Sequence, residues 1–154
     1  MEGAEAQLDS FISKFDHSNQ VLIRSLRAAL RKRLPSCAEL VWDNYNFFVI
    51  GYSPTERPSD YIVSIAASAA GASLSFNRGA ELEDPDNVLQ GSSKVNRFVR
   101  LPSADTLAQR GVEEMLARAC SLCDVPQPWN CGGKLIIRSV SAKQRPRRRT
   151  ASPA

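Results

Sequence analysis

Residues 61–77 alternate with a period of two. Tyr61, Val63, Ile65 and Ala67 interleave with Ile62, Ser64 and Ala66; Ala70-Gly71 makes a turn; Ala72, Leu74 and Phe76 then interleave with Ser73, Ser75 and Asn77. Successive side chains of a strand point to opposite faces, so the pattern predicts two strands with one apolar and one mixed face. A connection this short joins them antiparallel. Further strand signals lie at 39–42, 45–52 and 97–101. Between 45–52 and 61–67 runs the loop 53–60, whose prolines cannot donate to a sheet ladder.

Helical periodicity brackets this meander. Leu8, Phe11, Ile12 and Phe15 recur at helical spacing, and Asp16-His17-Ser18 breaks the pattern, with Asp16 or Ser18 as the next cap. Val21, Leu22, Leu26, Ala29, Leu30 and Leu34 then share one face, and Pro35 marks the end. Arg24, Arg27 and Arg31 share another face, read as solvated. A last helix starts at Ser103 or Asp105 and buries Leu107, Val112, Met115, Leu116 and Ala119. Helices, a meander and a helix predict an α+β fold: an antiparallel β-sheet covered on one face by N-terminal and C-terminal helices. With 154 residues, 43% of them hydrophobic, the chain fits one domain that needs no disulfides. That domain is expected over 1–133. The extension 134–154 is expected to supply an edge strand or docked extended segment at 134–141, and to be disordered from Ala142 onward.

Charge is unevenly placed. The extension holds seven of the 20 basic residues and no acidic one, which leaves the remainder with a net charge of −3. An argument for nucleic-acid or acidic-partner contact therefore belongs to the tail alone, and without interleaved aromatics it supports weak contact rather than base recognition. The start of the chain, Met1-Glu2-Gly3-Ala4-Glu5, is acidic where an export signal is basic and then apolar. No apolar run approaches the roughly 18 residues of a membrane span. A cytoplasmic protein with reduced thiols and no membrane partner is the expectation. Cys120 and Cys123 form a C-x-x-C that ends a helix instead of opening one, with Cys131 beyond, and they read as inert thiols. His17 is the sole histidine, and its flanking residues suit a helix start better than catalysis.

The long polar insert 79–95 is the strongest functional signal, because connections of this length, when ordered, are often functional. It carries Glu81, Glu83, Asp84 and Asp86, then Gly91-Ser92-Ser93-Lys94, and leads into Arg97. Asp84-Pro85 predicts a short helix over 85–90 that stops at Gly91. A Gly-Ser turn can offer backbone N–H groups as a concave nest, and Lys94 and Arg97 supply charge and forked donors. The same residues also fit a plain tight turn entering a strand. Asp43 and Asn44 sit where one strand turns into the next, and Glu56 and Arg57 lie in the loop after Tyr52. If these approach the Gly-Ser turn they complete a polar pocket; otherwise Asp43 and Asn44 simply make a hairpin turn and Glu56 pairs with Arg57. The four carboxylates offer oxygen ligands to a hard cation but lack EF-hand spacing.

Several blocks together resemble the YdhG-like family, a domain of unknown function. They are Leu8-Asp9-x-Phe11-Ile12, Asp43-Asn44-Tyr45-Asn46, Gly51-Tyr52-x-Pro54-Thr55-Glu56-Arg57-Pro58-Ser59-Asp60, and the stretch from Asp84-Pro85 through Gly91-Ser92-Ser93-Lys94 to Leu101. The resemblance covers roughly 8–122, and the blocks look like a bacterial subgroup in which a similar basic tail also occurs. It implies a small α+β fold with a helix-covered sheet. One branch is described as frataxin-like iron chaperones, so the resemblance also carries iron handling as an alternative role; no residue-level iron motif maps onto this chain, and neither a metal ligand set nor a cofactor is assigned.

The residues favour a non-enzymatic binding module for a small anionic ligand. Its expected site is Lys94, Arg97, Arg57, Asp43, Asn44, Ser92 and Ser93. An enzyme is a further alternative, but no nucleophile-and-base pair is legible.

Overall fold

The computed structural model describes residues 3–149. Two helices open the chain, α1 (Ala4–Ile12) and α2 (His17–Arg33). Strands β1 (Ala38–Asp43), β2 (Phe48–Ser53), β3 (Val63–Ser68), β4 (Gly71–Phe76) and β5 (Arg97–Arg100) follow, then α3 (Arg110–Leu122) and β6 (Leu135–Val140). The fold is α+β. Its six strands lie in the order β5-β4-β3-β2-β1-β6.

The sheet is mixed, which corrects the expectation of an antiparallel one. The first five strands form the antiparallel meander, but β6 pairs parallel with β1, Leu40 facing Ile136. The direction follows from where the chain arrives. Cys131 N–H donates to Ser36 O and Gly133 N–H to Cys37 O, so the incoming segment is anchored beside the start of β1 and can only continue the same way.

Alternation decides which face is covered. Val41, Phe48, Ile50, Tyr52, Val63, Ile65, Leu74 and Phe76 are buried in one cluster with Leu8, Phe11, Ile12 and Phe15 at the amino-terminal end, with Ile23, Leu26 and Leu30 of α2, and with Val112, Met115, Leu116 and Ala119 of α3. Phe48 is gripped edge-on by Phe11 and Phe15, at ring separations of 6.3 and 6.0 Å. Each such ring buried whole contributes about 1.5–3 kcal/mol. The opposite face carries the row Arg100, Ser73, Ala66, Val49 and Trp42, half-buried or exposed. Trp42 lies flat across that face because Gly51 has no side chain; a Cβ there would stand 3.1 Å from the indole.

The last helix begins later than expected. A short 3-10 turn at Ala104–Ala108 precedes it, and Gln109 interrupts the two with extended backbone. No helix forms at 85–90 either. Asn87 takes a left-handed conformation (φ 55°), and the Asp84 carboxylate accepts from the N–H groups of Val88 and Leu89, both at 2.8 Å. Asp84 thus satisfies backbone donors as a cap does, but of a turn.

Candidate functional site

The expected pocket does not assemble. Asp43 pairs with Phe48, whose row continues through Ala67 and Ala72; Arg97 pairs with Phe76, whose row continues through Val63 and Tyr52. The two rows are four residues apart along β2, roughly 13 Å, and β1 and β5 are four strands apart, roughly 19 Å. Asp43 and Asn44 therefore occupy the corner diagonally opposite Arg97. Arg57 follows β2 at the Arg97 end of the rows, with its side chain exposed. Its neighbour Glu56 pairs with Lys134 at 2.9 Å rather than with Arg57.

The insert folds onto itself. Ala80 N–H donates to Val95 O, and Gln90 and Phe98 exchange both backbone hydrogen bonds. Ser93 Oγ accepts from the N–H groups of Val95 and Asn96. Arg97 turns its Nη1 onto the carbonyls of Ser93 and Asn96, so this one nitrogen ties the loop to itself. Ser92 and Lys94 are exposed. Glu81 is engaged by Arg78, Nε to Oε2 at 2.7 Å; that hydrogen bond lowers the Glu81 pKa.

Asp43 has a structural role that its residue type concealed. It is fully buried, and Lys14 Nζ and Arg147 Nη2 reach its two carboxylate oxygens at 2.8 and 2.9 Å. Its backbone carbonyl accepts from Ser141 N–H and Gln144 Nε2, and Asn44 Oδ1 accepts from Ser139 Oγ. The expectation of disorder from Ala142 is corrected here as far as Arg149. Arg147 is 4% exposed and packs over the Phe15 ring; its Nε and Nη1 have no hydrogen-bond partner among the described residues. Arg148 donates to the carbonyls of Ser13 and Lys14 beyond α1, and Arg149 Nε to Ala69 O. A buried carboxylate needs opposite charge, and the basic tail supplies it. Two buried carboxylates within β1 were the available sequence signal: Asp43 and Glu39, acidic residues in an otherwise apolar strand.

Glu39 is the second. Arg27 of α2 grips it with Nε and Nη2, Arg31 adds Nη1 at 3.0 Å, and Tyr52 donates its hydroxyl at 2.8 Å. Arg24 reaches Asp9 at 2.7 Å. The arginine stripe of α2 is thus committed to carboxylates, not simply solvated. Burial works against the Arg27 charge, but the hydrogen bonds of Glu39 and Glu5 outweigh it and raise its pKa. Burial, and next the neighbouring Glu39, push the Tyr52 pKa well up.

A concavity lies elsewhere. A groove of about 880 Å³ curves round the tip of the β3–β4 hairpin, from the first turn of α2 to the helix-free face. Phe47, Phe98, Ser73 and Ser75 line it, and among the described residues its charged lining is Arg100 and Arg149, with no carboxylate side chain. Arg100 is exposed and makes no ion pair among the described residues. Ser73 and Arg100 face each other across β4 and β5, as do Ser75 and Phe98, so the β-pleat projects all four to one side. Sequence reading missed Arg100 because a charge at a strand's outer position resembles any solvated residue.

Cys37 is buried, and burial, followed by the nearby Cys120, Cys131 and Cys123 thiols, pushes its pKa up to about 12. Among the described residues no group of three or more His, Cys, Asp or Glu side chains is set to hold a metal ion, and no helix is long and apolar enough to cross a membrane. No family model matches the chain, and neither a curated protein nor a solved structure matches it.

Proposed function

We propose that the protein is a non-enzymatic binding module for a small anionic ligand, seated in the groove of Arg100 and Arg149 rather than at the corner of Lys94 and Arg97. The observation that carries this reading is the charge of the lining: among the described residues, two arginines and no carboxylate side chain around about 880 Å³. That volume lies within the roughly 300–1,000 Å³ of small-molecule sites. Guanidinium groups offer planar, forked donors to a carboxylate, sulfonate or phosphate. Phe47 and Phe98 offer apolar surface beside them, so the ligand class is an organic anion with an apolar body. We also propose kinship with the YdhG-like family, on the blocks at 51–60 and 84–101; an alignment of that family that cannot bring both blocks into register with this chain would remove it.

The test uses 8-anilinonaphthalene-1-sulfonate, an aromatic anion, titrated into the full chain with amide chemical shifts as the readout. One saturable site is expected, with shifts centred on Ser73, Ser75, Phe98 and Arg100. Arg100→Ala is expected to weaken binding about tenfold, the value of one charged hydrogen bond. Unaltered affinity in that variant, or shifts gathered at Lys94 and Arg97, would overturn the groove.

A further inference from the structure

We propose that the C-terminal strap, residues 135–149, is a coupled element of this groove: docking of Arg147 on Asp43 delivers Arg149 to the ligand, so ligand binding and strap docking strengthen each other. The inference rests on the groove reading.

Three observations carry it. Arg149 belongs to both systems, lining the groove while its N–H donates to Asp16 Oδ2 at 3.1 Å and its Nε to Ala69 O. Only Arg148 separates Arg149 from Arg147. Two extended residues span about 7 Å, so Arg149 stays at the groove only while Arg147 stays near Asp43.

The latch itself is unevenly made. Arg147 Nη2 donates to Asp43 Oδ1 at 2.9 Å and to Asn44 O at 2.5 Å, yet Nε and Nη1 of the same buried guanidinium have no partner among the described residues. Buried donors without acceptors offset part of what the ion pair contributes.

The strap is also held along one edge. Among the described residues β6 pairs with β1 alone, and Arg138, Ser139 and Val140 are exposed. Segments with few buried apolar contacts open before the core does. Leu135 and Ile137 pack against the core, so it is the part of the strap beyond them that is drawn from the low-stability end of the molecule, where a ligand bound to Arg149 can shift the docking equilibrium. Linkage requires the effect to be reciprocal and equal in size.

The experiment measures both directions on the full chain. Amide hydrogen exchange at Ser141 and Arg145, whose N–H groups donate to Asp43 O and Tyr45 O, is followed with and without saturating 8-anilinonaphthalene-1-sulfonate. Exchange at both is expected to slow by roughly fivefold or more, with Arg147→Ala weakening the probe by a similar factor. Arg149→Ala, at an exposed position, should weaken it as well. Probe binding that leaves both amides unprotected overturns the coupling and spares the groove, and wild-type affinity in Arg147→Ala does the same. Failure of the wild-type chain to bind the probe overturns the groove and the coupling with it. Should Arg147→Ala not fold, the exchange measurement on the unaltered chain decides alone.

Discussion

Arg27 holds Glu39 with two arms of its guanidinium, Nη2 2.8 Å from Oε1 and Nε 3.0 Å from Oε2, across the interface between α2 and the first strand. Glu39 is 1% exposed and Arg27 17%. Removing one partner of a buried pair leaves the other charge uncompensated, so Arg27→Ala is expected to cost about 3–5 kcal/mol in urea unfolding. Arg31 touches the same carboxylate from a largely solvated position, and Arg31→Ala is expected to cost less than about 1 kcal/mol. Equal losses in the two variants would show that burial does not set the value of this network.

Stability should fall on the alkaline side. Tyr52 and Cys37 are neutral when protonated, and burial raises both above their ordinary values of 10.0 and 9.0. The folded chain therefore keeps protons that the unfolded chain releases. Their stabilisation is complete below about pH 9 and is lost as pH climbs through and beyond the unfolded values. Melting temperature is expected to hold steady up to about pH 9 and then decline, with a shallower decline in Tyr52→Phe. An identical alkaline slope in that variant would assign the loss to other groups.

Gly79 lies against the backbone of β5. A Cβ at this position would stand 2.7 Å from Arg97 N and 2.7 Å from Arg97 Cβ. The backbone nitrogen has no rotamer to retreat into, so Gly79→Ala is expected to cost about 1–3 kcal/mol, as overpacking does. Thermal unfolding measures it. Wild-type stability would mean that the loop lifts off the strand freely.

Deleting the chain after Ser141 removes Arg147 and leaves Lys14 as the one cation on Asp43 among the described residues. The deletion is expected to destabilise by about 3–5 kcal/mol. Asp43→Asn removes the buried charge, so the same deletion in that background should cost distinctly less. Unfolding midpoints of the four chains complete the cycle, and strictly additive losses would refute a direct Arg147–Asp43 interaction.

Much of the scaffold was readable locally. The alternation at 61–77 and the apolar residues Leu8, Phe11, Leu26 and Leu30 each report a neighbour one turn or one pleat away, and local periodicity encodes that directly. The segment 134–141 reads equally as an edge strand or a docked extended segment, and the structure makes it the edge strand β6. Its parallel direction was not readable, because direction depends on where Cys131 and Gly133 are anchored, nearly 100 residues from Ser36 and Cys37 in the chain. The helix expected at 85–90 failed because Asp84-Pro85 specifies a turn as readily as a helix start.

Sequence alone determined an α+β chain with one buried sheet face, three helices against it, and a surplus of positive charge at its end. Only the tertiary structure decided what the charges do. It placed Asp43 and Arg97 at opposite corners, tied Arg97 Nη1 to its own loop, and turned Arg147 inward to neutralise Asp43, while Arg100, beside the groove, makes no ion pair among the described residues. Burial and separation are properties of packing between distant segments. An arginine that closes a core, one that ties a loop and one that can meet a ligand have the same side chain, and the dielectric and neighbours that distinguish them exist only once the sheet has formed.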